Sequence, residues 1–140
     1  MTNTEKAGTV AVYIHGDNLE PERITDFLGV EPDEQWKSGD ERLLSSGSSV
    51  KAKTGMWTLT VPLKEVDLDH ILAKLTETLG KNFLRILSVP GIDSAYADVL
   101  LFISQRQADA GYTLRLPNSE LAAVVNAGLD IQVTVSIAGD

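Results

Sequence analysis

Met56-Trp57-Thr58-Leu59-Thr60-Val61-Pro62-Leu63 alternates with period two, and five residues later the hydrophobic period becomes that of a helix. Trp57, Leu59, Val61 and Leu63 fall on one side of an extended chain; Met56, Thr58, Thr60 and Pro62 fall on the other. This is the pattern of a strand with one face buried, and it places Trp57 in the core. Leu68, Ile71, Leu72, Leu75 and Leu79 then recur at helical spacing, with Asp67 positioned to cap the helix. Phe83, Leu84, Ile86 and Leu87 continue the stripe beyond Gly80. A kink or break is expected there, because glycine inside a helix costs about 1 kcal/mol relative to alanine. A strand followed directly by a helix able to cover it is a building unit of an α+β domain.

The flanking segments extend that unit. Residues 9–15 are β-branched and aromatic and read as a strand. Pro21 opens a short helix, Glu20 and Glu22 sit at its positive end, Ile24, Phe27 and Leu28 form its buried stripe, and Gly29 stops it. Pro32 cannot donate to a central ladder, so the stretch near Trp36 reads as a short edge strand. Asp93–Gln105 lacks clean alternation and reads as a central strand covered on both faces. Ala108–Gly111 then turns the chain into a strand at Tyr112–Leu116, expected to pair back as a hairpin. Asn118 is expected to cap a helix that buries Leu121, Val124 and Val125 and ends at Gly128. Ile131, Val133, Val135 and Ile137 alternate with polar residues as a last strand with one wet face.

The expected fold is α+β, a largely antiparallel sheet with helices mainly on one face and a ferredoxin-like β-α-β-β-α-β-β-α-β order. Leu19-x-Pro21 leading to Gly29-Val30 is echoed by Leu116-Pro117 leading to Gly128-Leu129. An internal duplication and convergent helix punctuation account for this echo equally well.

The 140 residues suit one domain: a flexible tail at 1–8 and a single unit over 9–140, with a mobile loop at 38–55 around Ser45-Ser46-Gly47-Ser48-Ser49. There is no cysteine, which excludes disulfides, thiolate catalysis and cysteine zinc sites. The first residues have no apolar run of the signal-peptide kind, and no stretch is long enough to span a bilayer, so a cytoplasmic location away from membranes is expected. The net charge of −8 argues against nucleic acid, since such a chain repels phosphate backbones.

Constellations for chemistry are missing from the sequence. His15 and His70 are the only histidines, too few for a tight transition-metal site, so neither metal nor cofactor is expected. No Gly-x-Ser-x-Gly elbow, phosphate loop or dinucleotide fingerprint occurs, and no catalytic residue is assigned. What stands out is charge. Asp17, Glu20, Glu22, Asp26, Glu31, Asp33 and Glu34 are opposed over that stretch by Arg23 alone. Lys37, Arg42, Lys51 and Lys53 then outnumber Asp40 and Glu41. An acidic flank therefore abuts a basic loop; this reads first as a solvated helix face beside a flexible hairpin tip, and alternatively as a docking surface with a partly buried Trp36 between them as anchor.

The run Leu19-x-Pro21-x-x-Ile24-Thr25-x-x-Leu28-Gly29-x-x-Pro32, with Gly39 and Thr54-Gly55-Met56-Trp57 after it, resembles the bacterial family catalogued as domain of unknown function 4279, over Val10 to Ile137. The resemblance implies a compact protein without established activity and supplies no catalytic residues. Two functions follow for testing. The first is a non-catalytic module, in its most specific form an immunity or antitoxin-like protein. It would dock a basic protein through the seven acids and Trp36, with Lys37, Arg42, Lys51 and Lys53 as anion contacts in the loop. The second is a small-molecule-binding or enzymatic domain with the 38–55 loop as its lid. The sequence leaves the oligomeric state open.

Overall fold

The strand whose alternation is plainest lies inside the sheet. In the computed structural model, which describes residues 7–138, β5 (Gly55–Leu63) pairs antiparallel with β1 (Gly8–Gly16) along its whole length. On the other side of β1 lies β6 (Ser94–Ser104), also antiparallel; it is central as expected but fully covered on one face only, since burial alternates along it and Phe102 is exposed. The edge strand expected near Trp36 is β2 (Glu34–Trp36), paired with β5. At the opposite edge β7 (Asp130–Ala138) runs parallel to β6. The five-stranded sheet thus reads β2-β5-β1-β6-β7, mixed but antiparallel at all contacts except the last.

One face of this sheet is the core. Val10, Val12 and Ile14 of β1 align with Val61, Leu59 and Trp57 of β5 and with Val99, Ala97 and Ala95 of β6. All but the half-buried Leu59 are buried, and they form one cluster with residues of the helical segments. The first helix, α1 (Pro21–Leu28), buries Pro21, Ile24 and Leu28. It is tied to β5 by Trp57, whose Nε1–H donates to Thr25 Oγ1 at 3.0 Å. Gly29 ends α1 at φ 77°, and its N–H bonds to Thr25 O.

The long stripe after β5 is not one helix. A 3-10 turn at Glu65–His70 precedes α2 (Ile71–Leu79), and a second 3-10 segment spans Lys81–Ser88. Gly80, at φ 89° and ψ 168°, makes the break, in a backbone region that side-chain-bearing residues avoid. Asp67 does not cap α2: its carboxylate accepts the Lys64 N–H at 2.8 Å and closes the start of the first 3-10 turn.

Three expectations are corrected downstream. No strand forms at Tyr112–Leu116, and β6 has no hairpin partner there. Instead Ser104 and Gln107 form a capping box that starts the short helix α3 (Gln105–Ala110) where a turn was expected. Tyr112, Leu114 and Leu116 still pack on the core, so their alternation records one buried side without a ladder. Asn118 is the first residue of α4 (Asn118–Asn126) and makes no side-chain cap.

The segment read as a loop also has structure. β3 (Glu41–Leu43) and β4 (Ser49–Lys51) pair as a separate antiparallel hairpin within residues 38–55. Of the segment read as a tail, residues 1–6 lie outside the described residues. Gly8 is already in the sheet, and Ala7 just before it bonds to the neighbouring strand: its N–H donates to Leu63 O at 2.7 Å.

Candidate docking cleft around Trp36

Proline, acids and a turn bring α1, β2 and the hairpin to one place. Lys37-Ser38-Gly39-Asp40 reverses the chain after β2, with the Lys37 N–H bonded to Asp40 Oδ2 at 2.8 Å. Backbone bonds from Gly39 to Ala52 and from Ala52 to Asp40, both 2.8 Å, close the base of the hairpin. Trp36 stands beside this turn, half-buried as expected, and its indole N–H donates to Thr54 O at 3.1 Å. The Arg42 guanidinium lies 3.8 Å from the centre of the Trp36 ring, a cation–π contact.

A cleft of about 280 Å³ opens here, lined by Glu20, Pro21, Glu22, Gln35, Trp36, Lys37 and Asp40. The lining carries three carboxylates and one ammonium, and one of the carboxylates, Asp40, also accepts the Lys37 N–H. Lys37 Nζ is 3.5 Å from Glu20 Oε2, with both side chains more than half exposed, so this pair contributes at most about 1 kcal/mol. Trp36, Gln35 and Asp40 also border a neighbouring recess with Glu34, Glu41, Arg42 and Leu43. Leu43, 79% exposed, adds an unburied apolar side chain to its rim.

The proposed site residues therefore divide. Glu20, Glu22, Trp36 and Lys37 share the cleft, and Glu34 and Arg42 border the adjoining recess. Asp26 lies elsewhere on α1, in a shallow hollow with Arg23, Phe27 and Pro90. Asp33 is engaged in the fold: its carboxylate accepts the Thr60 N–H at 2.6 Å. The Asp17 backbone N–H is held by the carboxylate of Asp93. Glu31 is exposed between α1 and β2, and Lys51 and Lys53 are exposed on and after β4. Asp40 was missed as a lining residue, although Gly39-Asp40 is a turn signal in the sequence.

Two other polar clusters exist. On the face of the sheet opposite the core, Tyr13 and Tyr96 stack at 5.2 Å, and His15 stacks on Tyr96 at 6.1 Å. Burial lowers the His15 pKa below its usual value and raises that of Tyr96. At the helices, His70 Nδ1 lies 2.5 Å from Glu120 Oε2, and the other oxygen of Glu120 accepts the Ala73 N–H at 3.2 Å. The His70–Glu120 hydrogen bond, followed by the charge of Glu120, raises the His70 pKa. Sequence reading had no means of pairing residues fifty positions apart.

Among the described residues no group of three or more His, Asp or Glu side chains is arranged to hold a metal ion, and no helix is long and apolar enough to cross a membrane. Fold and cleft together define a small α+β domain with a mixed sheet and an acidic, aromatic-walled recess on its surface. The chain belongs to the family described as Domain of unknown function (DUF4279), whose model matches residues 6–137. No curated protein and no solved structure matches it significantly.

Proposed function

We propose that this domain is a non-catalytic protein-binding module that takes a cationic segment of a partner protein into the Trp36 cleft. The observation that carries the reading is the lining itself: Glu20, Glu22 and Asp40 around an indole wall. Carboxylates steer a basic partner, and a half-buried tryptophan is a favoured anchor at protein interfaces. Of the four basic residues offered as anion contacts, Lys37 lies against Glu20 and Arg42 against Trp36. That engagement favours a cationic guest over an anionic one. In its most specific form the module is a cytoplasmic immunity or antitoxin-like protein that blocks a basic partner, a reading supported by the net charge of −8 and the small size. Its scaffold is read as ferredoxin-like, supported by the order β2-β5-β1-β6, with β7 added at the far edge.

The test is fluorescence titration with an arginine- and lysine-rich peptide, with an oligoglutamate peptide as the control. Trp57 is fully buried, so a response that is lost in Trp36→Phe comes from the cleft. Binding is expected to weaken as salt rises and to weaken again in Glu22→Lys, an exposed substitution that should change stability by no more than about 0.5 kcal/mol. Equal binding by Glu22→Lys and the parent chain would refute the reading.

A further inference from the structure

The two edges of the sheet differ in a way that the docking cleft does not explain. β2 is three residues long, follows Pro32 and begins at Glu34; such an edge is blunted against pairing. β7 is nine residues long, and after Asp130 it reads Ile131-Gln132-Val133-Thr134-Val135-Ser136-Ile137-Ala138, without charge, proline or glycine. Among the described residues no strand pairs with its outer side. Through its register with β6, Ile131, Val133, Val135 and Ile137 lie on the core face of the sheet. The last strand was expected to have one wet face, and it has two. Val133 is 40% exposed, Val135 43% and Ile137 52%, whereas their neighbours Val99, Leu101 and Ile103 on β6 are buried. A long, uncharged, partly apolar edge strand is a template for another strand.

The sequence of β7 is complementary to itself. Antiparallel pairing centred on Thr134 sets Ile131 against Ile137, Val133 against Val135, and Gln132 against Ser136. Directly opposed residues in such a pair point to the same side, so both apolar stripes stay on the core side and cover one another. Asp130 then faces Ala138, so no carboxylate meets its own copy. A shift of the centre by half a residue would oppose apolar to polar side chains along the whole strand. In a chain of net charge −8, this uncharged strip is a place where two copies approach without opposing carboxylates.

We propose that β7 is a self-pairing edge: two copies of this chain join antiparallel through residues 131–137, about a two-fold axis at Thr134, into one continuous sheet. The contact is one strand wide, below the size of standard stable interfaces, so association belongs in the weak range and is to be sought from about 10 μM to about 1 mM.

The chain has no cysteine, so a single introduced one reports the register. Thr134 and Gln132 are both exposed. At the axis, two Thr134→Cys residues would be about 5 Å apart between Cα atoms, within disulfide reach. Two Gln132→Cys residues would be four positions out of register, about 13 Å apart, and out of reach. Under mild oxidation Thr134→Cys should become a covalent dimer while Gln132→Cys stays monomeric. Sedimentation should show the parent chain dimerising with concentration. Thr134→Lys should be monomeric, and an equimolar mixture of Thr134→Lys with Thr134→Glu should dimerise again. A parent chain that stays monomeric throughout, equal cross-linking at both cysteines, or a dimer unaffected by Thr134→Lys would overturn the proposal.

Discussion

Thr58 carries a buried hydroxyl with no partner among the described residues, and replacing it with valine should stabilise the protein. The residue is 4% exposed in the middle of β5, between Tyr13 of β1 and Glu34 of β2. Its carbonyl is used, accepting the Asp33 N–H at 2.8 Å, but Oγ1 has no hydrogen-bond partner. A buried polar group left unpaired costs about 1–3 kcal/mol. Thr58→Val exchanges that hydroxyl for a methyl of similar size and keeps the β-branch suited to a strand. A gain of about 1–2 kcal/mol is expected, a rise in Tm of roughly 3–6 °C for a chain of this length. Thr58→Ser is the counterpart: it keeps the unpaired hydroxyl, loses the buried methyl, and should cost about 1 kcal/mol. Urea unfolding followed by circular dichroism measures both, with an unchanged m-value showing that the denatured state is unaffected. If Thr58→Val is less stable than the parent by 1 kcal/mol or more, on the order of a net hydrogen bond, the hydroxyl is satisfied in solution and the reasoning fails.

The two glycines that end α1 and α2 separate backbone strain from crowding. An added Cβ meets nothing within 4 Å at Gly29 and only Leu28 O, at 3.8 Å, at Gly80. Gly29→Ala, in the left-handed region, should cost about 1 kcal/mol. Gly80→Ala, in a region nearly exclusive to glycine, should cost up to about 3 kcal/mol. Equal losses in urea unfolding would contradict the break assigned at Gly80. The two histidines should titrate on opposite sides of 6.5 by NMR, His15 below it through burial and His70 above it through Glu120. Because His70 is raised, its bond to Glu120 contributes fully below pH 6.5 and is lost as pH rises through the raised value. His70→Gln should remove that part of the pH dependence of stability; an unchanged profile would count against the pair.

How much of this was legible follows from where each signal resides. β5 was readable because its alternation is local, and Trp57 stands on its apolar side, where it is fully buried. The β2 edge was readable from Pro32, and the break at Gly80 from glycine inside a helical stripe. Tyr112–Leu116 misled because alternation reports burial of one side, and a segment can bury one side without a ladder. The β3–β4 hairpin was hidden because its residues are almost all exposed and serine-rich, so no hydrophobic period marks it. The acidic cluster was visible as a run, but its division was not. Successive residues in and just before α1 and β2 point in different directions, so Glu20 and Glu22 line the cleft, Asp26 lines a separate hollow with Pro90, and Asp33 is spent on a backbone N–H. The parallel pairing of β7 with β6 joins segments more than thirty residues apart, which no window of sequence records.

The two recognition surfaces lie at opposite edges of one sheet, and that separation decides how they can act. From β2 to β7 there are four strand intervals, about 19 Å at the usual spacing. This is more than two Debye lengths at physiological ionic strength, about 8 Å each. A cationic guest at Trp36 therefore does little to relieve the repulsion between two copies meeting at β7, and the pairing must come from main-chain bonds and the covered stripe of Val133, Val135 and Ile137. Conversely, pairing at β7 leaves the cleft open, because none of its lining residues lies on β6 or β7. A β7-paired assembly would carry two Trp36 clefts at the far ends of one sheet. A partner with two basic segments spaced to span them would bind far more tightly than either cleft alone permits, by effective concentration rather than by any added contact.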